Sequence, residues 1–533
     1  MAIYSHIKVD LPTSKIFFKK QNNSTYVYYY TSFFRDENGK PKNTSALIGK
    51  LDDESGKLMP NDKYFTFFDE EKKVEDLSLY QIGYTALVDS AIKQLELDSI
   101  LSNAFGNNIA SDLLLAASYS IRYGSVMSYI DNFLERNYIF KGCSNLTSQR
   151  ISELFASINI NDKYHFFREW ISKNTSDDYI AYDVSSISTY SNGIIEAEYG
   201  YNRDHDDLRQ INLGMFTATK NKMPVYYENY NGSITDKINL EYVLNNAKNV
   251  GIENAKLVMD GGFFDDKRVR ELANSSHTFA VGMPSYLELS KDILDTYLSE
   301  VHAFKNKTSS TSNYAIIREK EVCGVQGRVL VGLCTETKEM MVESLKNKLS
   351  KLEEDLKKKK IKKYETIKNK QKYTKYFDIY KTSDGYDYQL KEEEIENEAK
   401  YFGYYLVFTN DDKISADDLL YYYREKDVDE KVFYQLKNYM GARRIRTHNQ
   451  DTTDGKMFTL FIGLVIRSWI YQKIEEYKKA HYMTLEACFN KLDNIQVIQT
   501  NGETRLVKAL TKEQKELLQQ FEIDIEKYIG EIK

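Results

Sequence analysis

Four residues toward the C-terminal end, Tyr423, Lys426, Glu430 and Lys437, recur at spacings of three, four and seven in the stretch YREKDVDEKVFYQLK. At 100° per residue on an α-helix they fall within about 60° of arc. One helical face then carries a phenol, two ammonium groups and a single carboxylate. A carboxylate flanked by phosphate-seeking cations suits metal-assisted chemistry on a nucleic-acid backbone. Two more carboxylates stand where strands are expected to deliver them. Asp183 lies inside the otherwise apolar and hydroxyl run YIAYDVS, where a buried charge is costly unless it is paired or binds metal. Asp260 follows the apolar run KLVM and precedes Gly261 and Gly262, so the chain can turn tightly and leave the carboxylate at the C-terminal edge of a sheet. Singly, each has a plain reading: a solvent-facing strand-end Asp, a turn Asp, an exposed helix Glu. Together they form an all-oxygen set that suits Mg²⁺ or Mn²⁺ and makes a poor zinc site. Two such ions could activate water at a phosphodiester and stabilise the departing 3′-oxygen.

The elements around these residues imply a multidomain α/β protein. Residues 1–75 form a β-rich N-terminal region, with Thr25 to Phe34 as a strand and turns at Asn38-Gly39 and Ser55-Gly56. Residues 76–176 read as helical. Ile151, Leu154, Phe155 and Ile158 mark one helix behind an N-cap at Thr147 or Ser148. This piece is either a DNA-reading helix-turn-helix or part of a helical bundle. Residues 177–285 follow the order β-β-β-α-β-α-β, with strands at Tyr179 to Ser185, Leu213 to Thr219, Val225 to Tyr230, Lys256 to Met259 and Thr278 to Met283. Residues 286–399 interrupt this core with one β-like stretch (Tyr314 to Leu333) and a lysine-dense helical stretch from Lys346 to Lys381. The core resumes over 400–475, with a strand and then the helix or helix pair from Ala416 to Met440. Val432, Phe433, Leu436, Tyr439 and Met440 give that helix a buried stripe. A helical region, 476–533, ends the chain, with a capping box at Thr511 and Gln514.

The three carboxylates and their settings resemble the DDE transposases of the bacterial insertion-sequence-four group. That group's third motif is Y-x2-R-x3-E-x6-K, and here Lys426 stands where the pattern has Arg. The change keeps the charge and loses bidentate phosphate geometry. YDVSSIS followed by GYNRDHDDLRQINLGM resembles the group's first motif, and VMDGGFF its Asp-x-Gly-Phe strand end. The resemblance implies a ribonuclease-H-like mixed-sheet core interrupted by an insertion, with Asp183, Asp260 and Glu430 as catalytic ligands of two Mg²⁺ or Mn²⁺ ions. It also implies that Tyr423, Lys426 and Lys437 hold phosphates near the cleaved end. The expected activity is cut-and-paste transposition: hydrolysis at transposon ends, then attack of the freed 3′-hydroxyl on target DNA. The partners would be double-stranded DNA, as end inverted repeats and target, and a second copy of the chain on paired ends. In related enzymes an aromatic of the insertion stacks on a flipped base; neither Trp170 nor Trp469 lies in the insertion, so that role would fall to a Tyr or Phe.

Several basic residues are candidates for the same DNA. Arg203 and His205, in the turn YNRDH, would touch DNA or support the site, or simply make a polar turn. Arg443, Arg444 and Arg446, with His448, form a patch just beyond the signature helix. The lysine run, with its cluster Lys357 to Lys360, is either a solvated helix face or a phosphate-binding arm. A net charge of −6 argues mildly against a nucleic-acid partner, but local patches decide such binding. At 533 residues the chain exceeds a single core, and 42% apolar with 29% charged residues is globular composition. Cys143, Cys323, Cys334 and Cys488 make no CxxC pair and read as buried or incidental thiols. Met1 to Lys20 lacks the apolar stretch of a signal peptide. Met457 to Ile466, closed by Arg467, is half a membrane span and reads as a core helix. A cytoplasmic, nucleoid-associated protein without membrane contact is expected. A transposase-derived, host-retained nuclease or DNA-binding protein is the alternative, and a helical scaffold a more distant one.

Overall fold

Strands buried on both faces read as unbroken apolar runs rather than alternating ones, and the run that begins at Tyr179 is the middle of the molecule. The structure is a computed structural model. It describes residues 3–4, 7–21, 24–35, 39–68, 78–138, 146–175, 178–309, 312–358, 367, 369–383, 385–500 and 503–531. The N-terminal strands β1 (Ile16–Gln21), β2 (Ser24–Arg35), β3 (Pro41–Leu51) and β4 (Leu58–Pro60) form a four-stranded antiparallel sheet over its own small core of Val27, Ile48 and Leu58. The turn at Ser55-Gly56 is present with Gly56 at φ 65°. Gly39 turns at φ 74°, while Asn38 lies outside the described residues.

The region read as helical contains helices at Gly83–Gln94, Leu97–Phe105, Asn107–Tyr123, Ile130–Arg136, Ser148–Ser157 and Ile160–Asn174. It opens, however, on a strand, β5 (Ser78–Gln81), whose partner comes from the far end of the chain. Thr147 caps the Ser148–Ser157 helix by accepting from the Arg150 N–H. That helix is built into a bundle. It packs along the helix Gln450–Lys473, so closely that a Cβ on Gly455 would stand 2.0 Å from the Phe155 carbonyl oxygen. Gln450–Lys473 contains the apolar run Met457 to Ile466, buried along its whole length. Among the described residues no helix is long and apolar enough to cross a membrane.

The large sheet is mixed. Its strands are β6 (Tyr179–Thr189), β7 (Arg209–Ala218), β8 (Pro224–Asn231), β9 (Lys256–Met259), β10 (Thr278–Met283), β11 (Asn313–Val322), β12 (Val325–Cys334) and, far along the chain, Tyr404–Thr409. Helices Asp236–Asn249 and Asp266–Asn274 connect β8 to β9 and β9 to β10, which gives the order expected for 177–285. β6, β9 and β10 run parallel, and the remaining pairings are antiparallel.

The interrupting segment divides differently from the expectation. The single β-like stretch is a hairpin, β11–β12, that pairs with Tyr404–Thr409 and forms an edge of the central sheet. What stands outside the sheet is narrower: the helix Thr335–Lys357, the hairpin β13 (Phe377–Thr382) and β14 (Gly385–Leu390), and the helix Glu392–Ala399, around a separate core with Leu352, Leu356 and Tyr376. Within the lysine-dense stretch, helix is described up to Lys357 and again at Gln371–Thr374, whereas Phe377–Thr382 is strand. Lys357 and Lys358 pair with Glu353 and Glu354 of their own helix. Lys359 and Lys360 lie outside the described residues, as does Cys143.

With Tyr404–Thr409 as β15, the sheet has eight strands in the order β11-β12-β15-β10-β9-β6-β7-β8. The C-terminal region is also not all helical: β16 (Gln496–Thr500) and β17 (Glu503–Leu506) form a three-stranded sheet with β5. The capping box at Thr511 and Gln514 is present.

Candidate active site

Strand register decides where the first two carboxylates stand. β6 and β9 are parallel, and their last pair is Tyr182 with Met259. One step further along each strand come Asp183 and Asp260, on neighbouring strands about 4.8 Å apart. Side chains alternate along a strand, so both aspartates lie on the face opposite Tyr182 and Met259. Asp183 is the one partly exposed residue in a strand otherwise buried from end to end. Asp260 keeps an extended backbone before the 3₁₀ turn Gly261–Phe263, and its side chain is 58% exposed.

The helix bearing the third motif crosses this face. Ser415 starts it by accepting from the Asp418 N–H at 3.1 Å, and Asp417 and Asp418 complement the helix N-terminus. Its first part, Ala416–Glu425, lies against β9 to β12, and its second, Asp427–Tyr434, against β6 and β7. The two join at Lys426, where the Asp429 N–H donates to the Lys426 carbonyl at 3.1 Å. A π turn, Gln435–Tyr439, follows. These two irregularities shift the phase of an ideal helix, and the four-residue face divides.

Tyr423 and Lys426 face Asp260. The Tyr423 phenol lies over β10 at Gly282, where a Cβ would fall 2.2 Å from the phenol oxygen. It stacks on Tyr405 at 6.5 Å with 11° between planes. Burial pushes its hydroxyl up to about 12, against the opposing pull of Lys426. Lys426 Nζ stands 3.6 Å from Asp260 Oδ1 and 3.2 Å from Asp427 Oδ1. Burial alone would lower this ammonium, but Asp260, Tyr423 and Asp427 outweigh it and hold the pKa above the ordinary lysine value.

Glu430 is on the exposed side of the helix and lines a cleft of about 470 Å³ with Tyr434, Gln435, Arg467 and Glu486. Lys437 is turned inward. Its ammonium donates to Asp204 Oδ2 at 2.8 Å, with side chains only 9% and 15% exposed. Burial lowers its pKa in spite of Asp204.

The turn after β6 ties the expected basic residues together. The buried Asn202 side chain accepts from the Asp204 N–H at 2.8 Å and donates to Ser188 Oγ at 3.0 Å. Arg203 donates its backbone N–H to Ser186, and His205 sits at φ 56°. Arg444 gives Nε and Nη2 to Asp206 at 3.2 and 3.1 Å, and Nη1 to the Tyr190 hydroxyl at 2.7 Å. Arg443 Nη2 donates to Asn438 at 2.9 Å. Arg443, Arg444 and Arg446 line a cleft of about 530 Å³ together with Arg122, a residue the sequence did not single out.

A second residue escaped the sequence reading. Asp429, immediately before Glu430, is 1% exposed, and neither of its carboxylate oxygens has a hydrogen-bond partner. Burial pushes its pKa well above the carboxylate range; Asp183 and Glu430 add to this, while Thr217 and Lys426 oppose it. The signal lay in the pattern. Asp429 extends the stripe of Val432, Phe433, Leu436 and Met440 backward by i+3, i+4, i+7 and i+11, so it occupies a core position.

Among the described residues, no three His, Cys, Asp or Glu side chains stand close enough together to hold a metal ion. The chemistry of the donors nonetheless fits a hard divalent cation. All are oxygens, and one of them is a buried carboxylate without a partner.

Residues 174–466, more than half of the chain, match the family model described as "Transposase DDE domain". Among solved structures the chain is similar to a piggyBac transposase, in a cryo-EM structure of its synaptic complex with hairpin DNA. The identity is 11% and the TM-score 0.34, over 84% of this chain and 81% of that chain. No curated protein matches. The match over 174–466 spans both strand-end aspartates and the helix laid across them, and the chain belongs to the family of transposases with a DDE domain.

Proposed function

We propose that this chain is a transposase of the insertion-sequence-four group, which cuts DNA at transposon ends and joins the freed 3′-hydroxyl to target DNA. The observation that carries the reading is the register of β6 and β9. It sets Asp183 beside Asp260 on one sheet face, and Lys426 lies within 3.6 Å of the second. On this reading the mixed sheet is a ribonuclease-H-like core, and Asp183, Asp260 and Glu430 hold two divalent ions, Mg²⁺ or Mn²⁺. Such ions, when bound, supply a nucleophile at neutral pH and charge for the departing oxygen.

The chain's own side chains position the substrate. Tyr423, with its hydroxyl at about 12, stays protonated at neutral pH and donates to a phosphate oxygen. Lys426 brings a positive charge to the same place as a point charge, without the fork of an arginine. Lys437, through its bond to Asp204, holds the Asn202 turn from which Arg203 and His205 would reach the backbone. Arg443, Arg444 and Arg446 take the backbone further along the duplex. Two copies of the chain would act on paired ends.

The test is cleavage of a duplex that carries the element's terminal inverted repeat, in Mg²⁺ or Mn²⁺. Asp183→Asn, Asp260→Asn and Glu430→Gln should each abolish it. Cleavage that persists in EDTA, or in any of the three variants, overturns the reading.

A further inference from the structure

Asp429 is the buried acid that the proposed function leaves unused. Its environment is defined on every side. The helix Asp427–Tyr434 presses it against β6 and β7, and Val428, Val432 and Phe433 around it are buried. The polar neighbours that act on it are the Thr217 hydroxyl, Asp183, Lys426 and Glu430. Thr217 Oγ1 is itself without a hydrogen-bond partner, and one hydroxyl serves one carboxylate oxygen at most. The only cation in the set, Lys426, is at Asp260 and Asp427. A buried carboxylate with two orphan oxygens is costly to the fold, and a helix core position is where an apolar side chain would otherwise be favoured. We propose that Asp429 is a further carboxylate ligand of the divalent cation held by Asp183, reaching it from the sheet-facing side of the helix, while Glu430 reaches from the exposed side.

This inference rests on the metal-dependent reading of the site and adds a ligand to it. A divalent cation is the partner that gives both oxygens contact and the buried charge a counter-charge. Asp429 would then stabilise the loaded protein and weaken the metal-free one.

The test reads metal binding rather than turnover. Mn²⁺ bound by the full chain is counted by electron paramagnetic resonance of the free ion, and thermal unfolding is followed with EDTA and with Mn²⁺. The chains compared are the natural one, Asp429→Asn, Asp183→Asn and Asp429→Cys. Asp429→Asn should weaken Mn²⁺ at least about tenfold, unfold no earlier than the natural chain in EDTA, and lose most of the Mn²⁺-induced rise in melting temperature. Asp429→Cys should gain Cd²⁺ affinity relative to the natural chain, with thiolate-to-cadmium absorption, because a soft ligand replaces a hard one. This variant keeps the inference testable should the asparagine variant fail to fold. Asp429→Asn binding Mn²⁺ as the natural chain does, while Asp183→Asn loses it, overturns the inference and leaves the metal-dependent reading standing. A natural chain that binds no Mn²⁺, with or without end DNA, ends both.

Discussion

Gly282 is the point where the sheet yields to the helix that carries Tyr423, and replacing it with alanine tests that packing. The added Cβ would stand 2.2 Å from the Tyr423 hydroxyl oxygen, 3.0 Å from its Cζ and 3.0 Å from the Gly261 amide nitrogen. None of these can be accommodated in place. The phenol is held by stacking on Tyr405, and the Gly261 amide belongs to the turn that aims Asp260. Overpacking of this kind costs about 1–3 kcal/mol. Tyr423→Phe removes the closest of the three contacts and leaves the others, so relief should be partial. Urea unfolding of the natural chain, Gly282→Ala, Tyr423→Phe and the double variant gives the coupling, expected at about 0.5–3 kcal/mol for groups in direct contact. Gly282→Ala should also lower end cleavage, because moving the phenol moves the helix segment that carries Lys426. An equal cost of Gly282→Ala in the tyrosine and phenylalanine backgrounds would refute the packing argument.

Three further outcomes follow from the same geometry. Burial, with Asp454 adding and Gln450 opposing, lifts the Glu196 carboxyl to about 7. The folded chain then holds a proton that the unfolded chain has released, so stability falls as pH rises from the ordinary carboxylate range through about 7; Glu196→Gln should flatten that slope in urea midpoints measured across it. Asp204→Ala leaves the Lys437 ammonium buried without its carboxylate and should cost about 3–5 kcal/mol in urea unfolding; a loss under about 1 kcal/mol would mean that the pair behaves as a surface one. Lys426→Arg should retain end cleavage, whereas Lys426→Ala should lower its rate by about 10²-fold, the scale of losing one preorganised donor. An alanine variant as fast as the natural chain removes Lys426 from the site.

Local signals mark the inner strands of the large sheet and fail where pairing is distant. Lys256–Met259 and Thr278–Met283 form strands over the residues expected, because Asp260-Gly261 and Pro284 end them within the chain itself. β6 runs on past Ser185 to Thr189. Three of its last four residues, Ser186, Ser188 and Thr189, are hydroxyls that look like a loop in sequence, yet they are buried, and Thr189 Oγ1 donates to the Ile445 carbonyl at 3.1 Å. β5 is a strand only because β16 supplies its partner, and β11–β12 joins the central sheet only because β15 returns beside β12. Neither partner is visible in the local pattern. At the site, the spacing of Tyr423, Lys426, Glu430 and Lys437 singles out the helix that crosses the sheet over Asp183 and Asp260. The assumption of one uninterrupted helix then placed all four on a single face. The break at Lys426 and the π turn at Gln435–Tyr439 send Lys437 to Asp204 instead, and Asp429, one residue before Glu430, takes the buried side.

The charges at the site decide the order in which it can be filled. Asp183, Asp260 and Glu430 bring three carboxylates to one helix and one sheet face, with the buried acid of Asp429 among them, and the Lys426 ammonium acts on Asp260 and Asp429. A phosphodiester is itself an anion and is repelled by such an excess, so on the proposed reading cations must be in place before a scissile phosphate can settle there. The basic residues beyond the site do not remove this barrier. Arg444 spends its donors on Asp206 and Tyr190, and Lys437 is engaged with Asp204; both are fixed in direction and partly neutralised by the acidic turn that holds them. Arg122, Arg443 and Arg446, around the cleft beyond the π turn, would on the same reading act on backbone at a distance from the carboxylates. On that reading DNA would be gripped along its flank independently of the metal, whereas chemistry would wait for it. An acidic chain and a nucleic-acid substrate are compatible on these terms, because on the proposed reading the negative charge is concentrated where divalent cations would bind and the positive charge where the duplex would lie.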